Sequence, residues 1–242
     1  MRQTFLIEID RRSFVAGLLA SVGVLAFLFV ISSMLGEEKV WQFCRLFNLD
    51  GEANVAAWFS RFLLALASAA AYACASFSSV RKEKNMWRMT AFGLLFLSCD
   101  ETAGFHETAG SILSRFVSAG FLPAAFNLGW PVLIGPIFAI VFVWLVLNFR
   151  QCLHGTAKSR RYLILGSVFL FGAALGLEVL HSVFQIYRGF LFKMEVFLEE
   201  GFEMLGSISI LYGLLLHAEH LYVVQQVDRT VECAGRAASW KR

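Results

Sequence analysis

Six blocks of this chain stay apolar for about twenty residues or more, the length needed to cross the roughly 30 Å hydrocarbon core of a bilayer as a helix. They fall at 13–35, 54–80, 87–106, 129–149, 162–187 and 196–224. Inside a bilayer every backbone N–H and C=O must find an internal partner, which leaves the helix as the natural form for such blocks. The whole chain is 58% hydrophobic and only 16% charged. Soluble domains sit near 45–50% and 25%, so a soluble globular enzyme, a disordered chain and a small disulfide scaffold are excluded. The expected fold is all-α: one polytopic membrane bundle over residues 1–242, with six transmembrane helices. The first block is too long for a signal-peptide core and reads as an uncleaved anchor. Segment 110–122 is too short and polar to span. It reads as a short interfacial helix ended by Pro123.

Charge placement sets the expected orientation. Fifteen of the 21 basic residues fall at the N-terminus, at 81–88, at 150–161 and beyond 228. The opposite loops hold only Lys39, Arg45, Arg115, Arg188 and Lys193, and Arg61 lies within the second block. Because cytoplasmic loops carry the excess of Lys and Arg, both termini are expected in the cytoplasm. Aromatic residues gather at membrane interfaces. On that basis Trp41, Trp58, Trp130 and Tyr187 mark the outer interface, and Trp87, Tyr162 and Tyr222 the inner one. The five cysteines are scattered without metal-finger spacing and read as small apolar fillers.

Acidic residues interrupt this pattern. An ionisable group within a span costs about 2.5–3.5 kcal/mol on insertion scales, which makes it a functional-site candidate. The third block ends in CDETAGFHETAG, with Asp100, Glu101, His106 and Glu107; the fifth contains Glu178 and His181; the sixth begins with Glu199, Glu200 and Glu203. In the expected topology all three sets share the outer leaflet, and Asp50, Glu52, Asn54 and Arg61 are added near the start of the second block. Read as a continuous helix at about 100° per residue, block three places Asp100 and Glu107 on one face.

So many carboxylates in a low dielectric require bound metal, protonation or water. A mixed Glu/His donor set suits Fe, Zn or Mn, and Glu178-x-x-His181 has the spacing used in di-iron carboxylate bundles. The expected divalent metal ligands are therefore Glu101, His106, Glu107, Glu178, His181, Glu200 and Glu203, with Asp100 as orienter or catalytic base. This describes a membrane metalloprotein, acting as an enzyme on a lipid or small apolar substrate. The alternatives are a proton- or cation-coupled transporter or channel subunit, which would use the acidic pairs Asp100-Glu101 and Glu199-Glu200 in two inverted halves, or an accessory subunit docked on a partner membrane protein. His217 and His220 read as polar residues at the inner interface. Short basic loops explained by topology leave no case for nucleic acid as a partner, and the bilayer itself is the expected surrounding.

The stretches FNLDGEANVAAWFS (47–60), SCDETAGFHE (98–107) and LEEGFEMLG (198–206) resemble those of a family of uncharacterised bacterial multi-pass membrane proteins, with Val55-Ala56 where such proteins often have Ile-Pro. That resemblance implies the bacterial inner (cytoplasmic) membrane and no particular activity. Asp100, His106 and the final His pair are loosely similar to the zinc site of alkaline ceramidases and progestin–adipoQ receptors. Those have seven spans and an HxxxH pair, against six spans and His217-x-x-His220 here.

Overall fold

A computed structural model describes residues 10–35, 37–51, 53–120, 135–152, 156–177, 179–180 and 189–239, without the side chains of 37–39, 107, 151–152, 174, 228–229 and 232–239. Among the described residues the regular structure is entirely helical. In chain order the helices are α1 (Arg11–Leu35), α2 (Glu37–Phe47), α3 (Val55–Phe77), α4 (Arg81–Ala103), α5 (Phe105–Ser118), α6 (Gly135–Cys152), α7 (Ala157–Gly172, continued by a π-helical turn Ala173–Leu177) and α8 (Gly189–Ser239).

Among the described residues four segments are long and apolar enough to cross a membrane: Arg11–Leu35, Val55–Phe77, Ala157–Leu177 and Gly189–Val227. They match expected blocks one, two, five and six. Block three corresponds to α4, whose ends carry Arg81, Lys82, Lys84 and Asp100, Glu101. Block four corresponds to the shorter apolar helix α6. Pro123, Trp130 and Tyr187 lie outside the described residues.

The 51-residue α8 is the spine, roughly 76 Å long at about 1.5 Å per residue. It packs against α7, α3 and α1, while α4 packs on α3 and α6 on α7. Small side chains make these contacts close. A Cβ on Gly166 would sit 2.6 Å from the Gly206 carbonyl oxygen, and one on Gly206 would sit 2.7 Å from the Leu170 nitrogen. Between the same helices the Ser159 hydroxyl donates to the Gly213 carbonyl at 2.7 Å, and the Ser209 hydroxyl to that of Tyr162 at 2.9 Å. Helices in lipid associate through this kind of backbone approach and interhelical hydrogen bonding, since lipid tails supply no hydrophobic drive. On α3, Ala67, Ala71 and Cys74 are fully buried, and the Ser68 hydroxyl donates to the Ala91 carbonyl of α4 at 2.7 Å.

The end of the bundle away from the acidic residues is tied by side chains. Arg11 and Glu219 form an ion pair between α1 and α8. Just before α1, Asp10 accepts from the Ser13 hydroxyl and the Arg12 amide, which holds its carboxyl below its ordinary range. Trp87, expected at the inner interface, is wholly buried within the bundle. It stacks on Phe149 at 5.9 Å and lies 4.9 Å from the ring of His217. His217 is likewise inside the bundle, 5% exposed, with Nδ1 3.3 Å from the Thr156 hydroxyl. Cys44 and Cys74 are buried thiols, and Cys99 is exposed.

Gly166→Val and Gly206→Val should each destabilise the bundle by about 1–3 kcal/mol, the usual cost of overpacking. Gly17→Ala, where an added Cβ meets nothing within 4 Å, should be neutral. Thermal unfolding in detergent, read by circular dichroism, distinguishes the two sites.

Candidate functional site

The expected continuous third span breaks at Gly104. Its φ of 59° and ψ of 41° are left-handed, a conformation glycine adopts without the penalty a Cβ imposes. The Gly104 N–H closes α4 on the Asp100 carbonyl at 2.7 Å, and its own carbonyl accepts from Thr108 to open α5 at 2.9 Å. Consequently α5 begins at Phe105, five residues before the expected interfacial helix. The shared face of Asp100 and Glu107 does not exist, because no single helix joins them.

The corner creates a different pairing. Asp100 is 4% exposed. Its Oδ1 accepts from the His106 backbone N–H at 3.1 Å, and its Oδ2 lies 2.8 Å from His106 Nδ1. A carboxylate in its ionised form only accepts, and paired with it the ring would carry its hydrogen on Nδ1, leaving Nε2 as the acceptor nitrogen. Both contacts depend on the turn at Gly104, which brings residue 106 back over residue 100.

On the other side of the site, Asn54 organises the turn before α3. Its Oδ1 accepts from the Ala57 N–H at 2.9 Å, capping the helix. Its Nδ2 donates to the carbonyls of Asn48 at 2.6 Å and Gly51 at 2.5 Å. A Cβ at Gly51 would lie 2.7 Å from that nitrogen, so a larger residue there would push the Asn54 amide off these carbonyls. The Ser98 hydroxyl, donating to the Arg61 carbonyl at 2.9 Å, ties α4 to α3 at this level.

These elements enclose a cavity of about 510 Å³. Asp50, Ser60 and Arg61 line it from the turn and α3, Asp100 and Glu101 from α4, and His106, Ser111 and Ser114 from α5. Glu199, Glu200 and Glu203 line it from α8, and Leu64, Leu97, Phe138, Leu170 and Phe171 add apolar wall. Glu203 is buried, Glu101, Glu199 and Glu200 are half-buried, and Asp50 is exposed. Glu200 lies within electrostatic reach of Glu101, Asp50 and Arg61.

Of the expected metal ligands, the cavity therefore brings together Glu101, His106, Glu200 and Glu203, with Asp100 beside His106. The Glu107 side chain, Glu178 and His181 lie outside the described residues. Among the described residues no group of three or more His, Cys, Asp or Glu is arranged to hold a metal. Those residues alone thus do not fit a metal centre. Sequence reasoning passed over Ser111, Ser114, Phe138 and Phe171. The serines follow His106 and Gly110 at helical spacing, which is the only signal that marked them.

The apolar helices and their close packing define a multi-pass helical membrane protein. Over residues 13–218 the chain matches the family described as a domain of unknown function, DUF8692, and it belongs to that family. No curated protein and no solved structure matches it.

Nitrogen NMR of labelled His106 should report hydrogen on Nδ1. Asp100→Asn can turn an amide N–H toward the ring, so the hydrogen should move to Nε2; an unchanged tautomer would remove Asp100 from this role. Gly104→Ala should cost about 1–2 kcal/mol for the left-handed backbone, and should disturb the same His106 signal.

Proposed function

We propose that this protein is a six-span inner-membrane protein of bacteria, with cytoplasmic termini, that binds a cation in a cavity of its outer leaflet. One observation carries the reading: Asp50, Asp100, Glu101, Glu199, Glu200 and Glu203, drawn from three separate parts of the chain, line a single cavity beside His106. Carboxylates gathered in a low dielectric favour a bound positive charge. A transition metal, Fe, Zn or Mn, would be held by Glu101, His106, Glu200 and Glu203, with Glu107, Glu178 and His181 completing the set and Asp100 orienting His106. Such a metal would supply Lewis acidity or redox chemistry toward a lipid or small apolar substrate. The apolar wall of Leu64, Leu97, Leu170 and Phe171 favours a binding chamber over a conduit for ions.

Elemental analysis of the full chain purified in detergent tests the metal. Near-stoichiometric Fe, Zn or Mn is expected, falling sharply in His106→Ala and Glu200→Gln. A protein that stays at background after loading with each ion rejects the metal reading. For topology, tags placed at both termini should be cut by protease only in inside-out vesicles.

A further inference from the structure

The cavity is larger than a metal ion requires and has walls of two kinds. Its volume of about 510 Å³ falls within the range of about 300–1,000 Å³ typical of pockets for small organic molecules. A single water takes up about 30 Å³ of the liquid, so an ion with its hydration shell leaves much of the space unused. One wall is aromatic and aliphatic: Phe171 lies against Phe138 at 6.4 Å and Phe142 at 5.5 Å, with Leu170 beside them. Elsewhere the described lining carries the carboxyl groups of Glu101, Glu200 and Glu203 against one guanidinium, that of Arg61, and so forms an acidic wall. A neutral apolar molecule would leave the anionic wall desolvated, and an anion would be repelled by it. An ion alone would leave the phenylalanine wall without an occupant. A ligand with a positive hydrogen-bond donor at one end and an apolar body at the other satisfies both.

We infer that the cavity receives an amphiphilic amine, its ammonium against Glu101, Glu200 and Glu203 and its hydrocarbon against Phe138, Leu170 and Phe171. This deepens the cation reading by naming an organic ammonium, in place of a metal, as the positive group that these carboxylates hold, and it rests on that cavity being the functional site. Each hydrogen bond from the ammonium to a carboxylate should raise affinity roughly tenfold or more.

Native mass spectrometry of the full chain in non-ionic detergent tests this with octylamine, octanol and octanoate as probes. Octylamine should bind at least about tenfold more tightly than either of the others, whose chains have the same length. The double variant Glu101→Gln, Glu200→Gln should lose that preference. Equal binding of octanol and octylamine by the wild-type chain would overturn the inference, and that comparison needs no variant to fold. Phosphatidylethanolamine, added as a competitor, identifies the source. Displacement of octylamine assigns the ammonium to a membrane lipid, and failure to displace it assigns a free amphiphile; both support ammonium recognition. Parallel runs on metal-loaded and chelator-treated protein separate the two proposals. Octylamine binding without metal leaves the amine site standing and removes the metal, whereas metal without octylamine preference does the reverse.

Discussion

Gly166 and Gly206 bring the backbones of α7 and α8 so close that no side chain fits between them. That contact determines what the acidic end can be. Glu203 lies three residues before Gly206 on α8, and Leu170 and Phe171 lie just after Gly166 on α7. Fixing the two glycines therefore fixes the distance from the carboxylates to the apolar wall. The hydrogen bonds from Ser159 and Ser209 repeat the same approach further down. In lipid, where apolar surface gains nothing by leaving one apolar medium for another, such packing and hydrogen bonding supply the association.

A second constraint operates at the α4–α5 corner. An uninterrupted helix through residues 100–107 would have carried His106 around the axis and away from Asp100. One left-handed glycine reverses the path, and the same residue pair becomes a hydrogen-bonded couple. The arrangement combines a rigid support on α3, α4 and α8 with a short helix that presents its polar side chains across the cavity.

Much of the fold could be read from hydropathy alone. Four blocks became helices of spanning length, and the other two became α4 and α6. The gathering of Asp100, Glu101, Glu200 and Glu203 at one level also followed from the sequence, because an acid within an apolar block needs a polar surrounding wherever it lies. The break at Gly104 was not legible. Glycine is common inside membrane helices, and periodicity cannot distinguish a tolerated glycine from a left-handed one. Nor was the enclosure of Trp87 legible, because a tryptophan beside basic residues shows its place along the chain and not the Phe149 and His217 rings that pack on it. The assembly of several carboxylates around one cavity did not amount to a metal centre among the described residues, since helical spacing sets a side chain's level and direction but not its separation from ligands on other helices.

The unbroken course of α8 has a mechanical consequence. Glu203 borders the cavity and His217 packs on Trp87 near the opposite end, yet both belong to one rigid rod. A slip of one residue along its neighbours would translate the rod by about 1.5 Å, and keeping helical register would demand a rotation near 100°. Such a screw motion would swing the carboxylate out of its chamber and strip the imidazole from the indole in the same stroke. The Gly166–Gly206 contact and the hydrogen bonds from Ser159 and Ser209 oppose that motion, so the rod holds its two ends at a set spacing.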